Sequence, residues 1–468
     1  MTKFDTKVQM YKFFVLTLVA KLAFEGRLVD EIDSIPEKLF PDDNNKGFID
    51  IYKTREITKM RVKLATGGDI SNKNVVEVME LACDECPLEG YEVTNACRGC
   101  LAHRCEDNCK FNAITFDSEG RAHIDISKCK SCGACSKACP YSAIRQNIRP
   151  CRAACKVGAM GFNEKKAALI DNNKCIACGA CVYQCPFGAI MDKSYMLNAI
   201  DYIKNSDNNT KYKTYAIVAP AIAAQFSDVK LGQVITGIKK LGFYDVVEVA
   251  YGADIVALDE STELVEKGFL TSSCCPAFVK FIKINYNNLV DNISSNPSPM
   301  IATAKYLKEK DKNCKVVFIG PCIAKKMEVK DNDKENSIDV AITFEELEAM
   351  FSAKEFELKK FEETKLNDAS YYGRVFARSG GLSESVEEAL IENGNKDYDL
   401  KAEVCSGIEQ CNLALLKKNK GILDANFIEG MACIGGCIGG PGCINHETKD
   451  KNSVDSYGSE SEYRRIKR

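Results

Sequence analysis

The chain is 468 residues long and carries 63 basic and 66 acidic side chains, for a net charge of −3. That length sets an expectation of about three domains, and near-neutrality excludes the basic footprint of a nucleic-acid-binding protein. Tryptophan is absent and histidine is limited to His103, His123 and His446, so histidine-centred zinc or acid–base chemistry is poorly supplied. Cysteine is the outlier, with 25 copies. Many cysteines in a small secreted chain read as disulfides. This chain is large, and its cysteines fall in tight Cys-x-x-Cys groups, a spacing that suits metal ligation.

Residues 1–80 read as an N-terminal helical or mixed segment, with one helix predicted over Lys7–Leu28. Its apolar centre, Tyr11 to Phe24, is too short to span a bilayer and is interrupted by Lys21. A signal peptide is the weaker reading. The placement of Phe13, Leu16, Val19, Ala20 and Ala23 suits a buried helix face. No membrane span is expected, and a cytoplasmic setting keeps thiols reduced. A turn-rich stretch, DDNNKG at 42–47, precedes IDIYKTREITKMRVKLA, which reads as strand or helix.

Residues 81–192 read as a ferredoxin-like module. Between Cys83 and Cys185 lie sixteen cysteines and an internal repeat, in which CxxxC precedes a small apolar group. The copies are RCEDNCKFNAI (Cys105, Cys109), CSKACPYSAI (Cys135, Cys139), PCRAACKVGAM (Cys151, Cys155) and CVYQCPFGAI (Cys181, Cys185). Three have an upstream CxxC, at Cys97/Cys100, Cys129/Cys132 and Cys175/Cys178; Cys83/Cys86 stands spare upstream. The second and fourth copies complete the bacterial ferredoxin pattern, whose fourth cysteine ligates the other cluster. The expectation is one [4Fe–4S] cluster on Cys129, Cys132, Cys135 and Cys185, and a second on Cys175, Cys178, Cys181 and Cys139.

The other eight thiols suffice for two more [4Fe–4S] clusters. One crossed assignment is Cys97, Cys100, Cys105 and Cys155, with Cys83, Cys86, Cys109 and Cys151. Zinc, or one extra cluster with spare thiols, competes with it. His103 reads as a solvated loop residue ahead of an iron ligand. Several clusters in one module make an electron wire, which needs redox chemistry at its far end.

Residues 193–212 read as a helix and polar linker. From 213 to 445 apolar strands such as KVVFIGPC alternate with amphipathic helices, the pattern of an α/β domain. Residues 446–468 read as a charged mobile tail. Three cysteine motifs punctuate the α/β region: TSSCCPAF (271–278), GPCIAKK (320–326) and EGMACIGGC (429–437). Each follows an apolar stretch, which places it at a strand end, and Cys275, Cys322, Cys433 and Cys437 are four thiols that a single cluster would gather.

These three motifs, in this order after a ferredoxin module, resemble the signatures TSCCP, PCxxKxxE and ExMxCxxGC of the iron-only, or [FeFe], hydrogenases. The resemblance implies a two-lobed α/β H-cluster domain with the active site buried between lobes. It implies an H-cluster: a [4Fe–4S] cube on Cys275, Cys322, Cys433 and Cys437, with Cys437 bridging to a diiron azadithiolate unit carrying CO and cyanide. Cys274 would pass a proton to that unit and Lys325 would bond a cyanide. Ala219, Pro220, Ser298 and Met431 would line it.

Glu260 and Glu263, in DESTEL, and Ser294 match the family's proton relay; without the resemblance the two carboxylates read as solvated helix charges. The implied activity is reversible reduction of protons to H2. The implied partners are a ferredoxin-like carrier and dedicated maturation enzymes for the diiron site. A hydrogen sensor, or a non-catalytic iron–sulfur protein, is the alternative. Departures from the family pattern are Ala221, Phe278, Met300, Gly320 and the ending GGPGC, which remove or move polar contacts to the diiron unit. Cys443 is an extra thiol near the site, while Cys314, Cys405 and Cys411 read as core residues.

Overall fold

Two parallel sheets organise the C-terminal half of the computed structural model, which describes residues 4–41, 50–83, 86–87, 89–226, 228–331, 337–446 and 450–467. The first sheet runs in the order Asp245–Glu248, Thr214–Val218, Lys315–Gly320, Val340–Thr343. The second orders Leu270–Thr271, Phe427–Met431, Ala402–Ser406. Runs such as VVFIG and FIEGM are buried along their length, as parallel strands covered by helices on both faces must be. Each sheet is the centre of one lobe, so the two-lobed α/β expectation holds.

The N-terminal segment is part of the same core. The predicted helix spans Lys7–Glu25, capped by Thr6 and ended three residues early by Gly26 in the left-handed region. It buries Val15, Leu16, Val19 and Ala20 in the core that also takes in the helix Phe344–Ala353. IDIYKTREITKMRVKLA is helical over Ile51–Ala65, with Asp50 as N-cap. DDNNKG lies outside the described residues.

A buried ion network ties these parts together. Lys12 reaches Asp192 and Glu345, each at 2.6 Å. Lys326 reaches Asp192 and Glu346, each at 2.7 Å. Glu346 in turn accepts from Ser194 and the Tyr195 amide.

Two expectations need correcting. Residues 193–212 are no free linker: Lys193 and Ser194 are buried, and the helix Met196–Asn205 sinks Met196, Ala199 and Ile200 into the core. The tail is not loose either. Its helix Asp450–Ser459 buries Val454 and Tyr457, and Tyr457 closes a buried set with Glu248 and Arg374. Apolar residues three apart gave the tail a face to bury, a signal masked by its charge.

The ferredoxin-like region is two modules, one nested inside the other. The outer is closed by Val76–Val78 paired with Ile190–Asp192. The inner is closed by Gly90–Val93 paired with Ile144–Asn147. The repeat is visible in the backbone: Asn112, Ser142, Gly158 and Gly188, each three residues after the last cysteine of its copy, all have positive φ. In each copy an amide four residues on donates to that cysteine's sulfur, from Ala113, Ala143, Ala159 and Ala189 at 3.2–3.4 Å. Such bonds favour the thiolate and tune a bound cluster.

Among the described residues no helix is long and apolar enough to cross a membrane.

Candidate active site

Strand ends place the site residues. Thr214–Val218 leads into Ala219 and Pro220, Leu270–Thr271 into Cys274 and Cys275, Lys315–Gly320 into Cys322, and Phe427–Met431 into Cys433 and Cys437. All are the carboxyl ends of parallel strands, where α/β folds bind ligands. Pro276 and Pro299 start the following helices at N1, so Cys275 and Ser298 are their N-cap residues. A proline's missing amide costs nothing at that position.

Cys275, Cys322, Cys433 and Cys437 meet between the lobes. Burial and the facing thiols push Cys322 and Cys437 each up to about 12. Burial, then Cys322, Cys275, Cys178 and Cys437, drive Cys433 well above its ordinary range. Thiols that oppose one another's ionisation need a cationic centre among them before all can be thiolates. Among the described residues no three His, Cys, Asp or Glu are grouped as around a single ion.

The neighbouring groups fit the larger cofactor. Cys274 is buried and packs with Met431, Phe376 and Cys437. Ser298 Oγ is buried without a hydrogen-bond partner among the described residues, as is Glu260 Oε2. Lys325 donates to the Cys274 carbonyl at 3.2 Å and pairs with Glu328 at 2.7 Å. An ammonium has three donors, so one remains beyond these two contacts. Ala221 and Met300 are fully buried apolar side chains. Gly320 has no room for a side chain: an added Cβ would lie 2.3 Å from Phe318. Gly430 likewise faces the Phe278 ring, at 2.1 Å.

A polar chain leads outward. Ser273 donates its amide and hydroxyl to Glu260 Oε1 at 3.2 and 3.3 Å. Burial pushes Glu260 up to about 7, against the pull of Ser273 and Ser294. Ser294 donates to Glu263 Oε2 at 3.1 Å. Asn296 Nδ2 donates to Glu263 Oε2 at 2.9 Å and to Ser294 Oγ at 3.1 Å. Burial raises Glu263, but Lys267 and the Ser295 amide together hold it below the ordinary carboxylate value. Lys267, paired to Glu263 at 2.7 Å, is at the surface. Glu260 and Glu263 are thus not solvated helix charges: both are buried, on the helix Val249–Lys267.

The cysteines of the nested modules group by adjacent copies. Cys178 and Cys181 lie near Cys175 and Cys155. Cys151 lies near Cys185, Cys83 and Cys86. Cys105 lies near Cys100 and Cys139. Cys109, Cys129, Cys132 and Cys135 line one cavity, and Cys135 lies near Cys129 and Cys109. The expected crossing of Cys139 with Cys175–Cys181, and of Cys185 with Cys129–Cys135, is therefore overturned, as is that of Cys155 with Cys97–Cys105. Motif spacing shows which loop holds three ligands; the fourth depends on which hairpins meet.

His103 stacks on Phe116 at 3.7 Å between ring centroids, with Glu106 beside it, so it is a packed loop residue. Cys443 is fully buried and donates to the Ile438 carbonyl, and Cys314, Cys405 and Cys411 are buried too.

Cys178 also acts on Cys433 and Cys275, so the outer module abuts the four-thiol site. The contact is tight. At Gly179, whose φ is +77, a Cβ would lie 2.5 Å from Pro441 and 2.6 Å from Ile323. The unusual GGPGC ending is the surface on which this loop rests.

Residues 212–441 match the family model described as the iron-only hydrogenase large subunit, C-terminal domain. This stretch is similar to the C-terminal domain of iron-only hydrogenase large subunits. Within its N-terminal half, residues 96–143 match a 4Fe-4S dicluster domain and 168–191 a 4Fe-4S binding domain. Iron hydrogenase 1 of Clostridium pasteurianum is 28% identical over 325 residues, covering 57% of this chain and 55% of that protein. The periplasmic [Fe] hydrogenase large subunit of Nitratidesulfovibrio vulgaris is 26% identical over 291 residues, 50% of this chain and 69% of that protein. The chain thus spans little more than half the length of the first relative. In fold it is similar to an [FeFe]-hydrogenase of Chlamydomonas reinhardtii, with a TM-score of 0.50 and 20% identity over 58% of this chain and 91% of that one. These matches support an H-cluster and additional [4Fe–4S] clusters as the cofactors.

Sequence reasoning missed Ser273, Asn296 and Glu328. Glu328 closes the PCxxKxxE signature, so a reading of the whole signature would have found it. Ser273 is the serine directly before Cys274 in TSSCCPAF, so the same whole-signature reading would have found it; Asn296 joins the site through the fold and carries no signal of its own.

Proposed function

We propose that this chain interconverts H2 with two protons and two electrons. The observation that carries this reading is that buried Cys274 stands near Cys275 and Cys437 of the four-thiol site and also near Glu260 of the polar chain. Cys275, Cys322, Cys433 and Cys437 would hold the cube, with Cys437 also meeting the diiron unit. Bound there, the H-cluster supplies the redox centre at which protons and H2 interconvert.

The chain's own residues supply the proton and the setting. Cys274 holds a proton at its sulfur beside the diiron position. Glu260, poised near neutrality, takes a proton from the Ser294 side and returns one toward Cys274. Groups that donate and accept in turn suit this work. Glu263 gathers protons at the surface end, with Asn296 fixing Ser294. Lys325, oriented by Glu328, sets its remaining donor against an anionic ligand. Ala219, Pro220, Met431 and Phe376 keep bulk water out.

Electrons would travel through the nested modules, whose clusters rest on Cys155 with Cys175, Cys178 and Cys181; on Cys83, Cys86, Cys151 and Cys185; on Cys97, Cys100, Cys105 and Cys139; and on Cys109, Cys129, Cys132 and Cys135. A ferredoxin-like carrier supplies or receives them, maturation enzymes install the diiron unit, and the cytoplasm is the setting. Cys274, Lys325 and Cys437 all serve the diiron unit, which argues against a non-catalytic role. Gas chromatography with reduced viologen tests the reading. The matured wild type evolves H2, and Cys274→Ala stops evolution while iron content stays. A fully active Cys274→Ala would refute the relay.

A further inference from the structure

The two nested modules meet at one group of thiols. The strands that close the inner module, Gly90–Val93 and Ile144–Asn147, run straight into it: Cys86 stands four residues before the first, and Cys151 four residues after the second. Cys151 lies near Cys83, Cys86 and Cys185. It also lies near Cys181, which belongs to the group beside the four-thiol site. The group of Cys83, Cys86, Cys151 and Cys185 is therefore the junction between the inner module and the catalytic end.

Arg149 is built into this junction. It is 3% exposed. Its guanidinium donates to the Cys83 sulfur at 3.7 Å, to the Pro87 carbonyl at 3.1 Å and to the Cys86 carbonyl at 3.4 Å. It also lies over the Phe162 ring, 4.6 Å from the centroid. Among the described residues no carboxylate pairs with it. A buried charge is costly unless it is paired, and the anion that Arg149 faces is the thiolate set itself. Burial raises Cys86, and Arg149 opposes that rise. Arg61, which donates to the Phe187 carbonyl at 3.2 Å, brings a second cation near Cys185.

The neighbouring group, Cys155 with Cys175, Cys178 and Cys181, has amides but no such cation. Ala159 and Ala177 donate to Cys155 and Cys175 at 3.2 and 3.4 Å. Ala168 and Ala189 do the same for Cys83 and Cys185, each at 3.3 Å. Amides therefore do not separate the two groups. Lys156, beside Cys155, is exposed and paired with Glu409 at 3.0 Å. Lys174, beside Cys175, is exposed and leans on Asp171 at 3.5 Å. Net charge and hydrogen bonds to sulfur set a cluster's potential, and an unpaired cation counts most where water is excluded.

We propose that the cluster on Cys83, Cys86, Cys151 and Cys185 is an electron-storing station, held by Arg149 at a higher potential than its neighbour on Cys155, Cys175, Cys178 and Cys181. The proposal rests on the electron-relay reading above. One electron leaves a cluster of the inner module, which is oxidised by one, and enters the junction cluster, which is reduced by one. No bond or proton changes hands. H2 formation takes two electrons and clusters pass them singly, so an electron waiting at the junction is ready to follow the first.

Redox titration of the full chain by electron paramagnetic resonance tests the order without asking for H2. The signal altered by Cys151→Ser should appear at higher potential than the signal altered by Cys155→Ser. The reverse order would overturn the proposal. The titration reads the sum of all charges at the junction, including Asp84 and Glu85 of the same loop, which lie outside the described residues. Arg149→Met should make the junction cluster at least tenfold harder to reduce, about 59 mV for one electron, with the other signals in place. Arg149→Lys keeps the charge and loses the fork, and should shift it less. A Met variant of full iron content and unchanged potential would overturn the role of Arg149. If that variant loses iron, the Lys variant and the wild-type order decide. The expected order in a matured chain that forms no H2 would instead sink the hydrogenase reading and leave the storing station standing.

Discussion

Glu260 is the residue on which proton delivery turns. It is fully buried, one oxygen has no partner among the described residues, and its acidity is weakened from the ordinary 4.5 to about 7. Between those values the folded protein holds a proton that the unfolded chain has released. The contribution to stability is therefore complete below about pH 4.5, falls as pH rises to about 7, and is flat above. Glu260→Gln should remove that slope, read as the difference between wild-type and variant denaturation midpoints across this window. The same variant should lose turnover by about 10²- to 10⁴-fold, the usual worth of a positioned acid–base group. Retained turnover would remove Glu260 from the relay. From sequence, DESTEL is merely a charged helical stretch. Only the resemblance singles out Glu260 and Glu263, and only the fold shows why Ser273 and Asn296 belong with them.

At the scale of elements, the N-terminal helix and the H-cluster domain are joined by the ion network of Lys12, Lys326, Asp192, Glu345 and Glu346. Removing one member of a buried ion set leaves its partners charged and unpaired, at a cost of about 3–5 kcal/mol. Lys12→Met should lower stability by that order in chemical denaturation, while a surface control such as Lys59→Met should change it by less than about 0.5 kcal/mol. A stability loss no greater than the control's would show that the network holds nothing together. The helix itself was legible, because its apolar face repeats with helical period. Its role was not, because Lys12 reads as an ordinary surface lysine until Asp192 and Glu345 are brought to it. Gly179 is similar: a glycine between ligand cysteines suggests a tight loop, but only the packing shows Pro441 pressed against it.

Across the whole molecule, the nested modules define the electron path. Cys155 belongs to the group beside the four-thiol site, and Cys139 to the inner module. Cys155→Ser should therefore slow carrier-dependent H2 evolution and also disturb the redox signals of the cluster nearest the H-cluster. Cys139→Ser should leave those signals intact and remove a cluster of the inner module, seen by electron paramagnetic resonance with iron analysis. The pairing expected from motif spacing predicts the reverse, because it places Cys139 with Cys175, Cys178 and Cys181. The fold class, the repeat and the four thiols of the central site were all readable in the chain, since each has its own local signature. The pairing of repeats and the packing of residues 450–467 were not, since both depend on contacts distant in sequence.

On the proposed function, the four thiols, Cys274 and Lys325 surround an H-cluster. Infrared spectroscopy of the matured protein tests it directly. Bands from CO and cyanide bound to iron are expected, retained in Cys274→Ala and shifted in Lys325→Met as the cyanide loses its donor. Protein matured by machinery proven on another hydrogenase, with its cubes in place but no such bands, would contradict it.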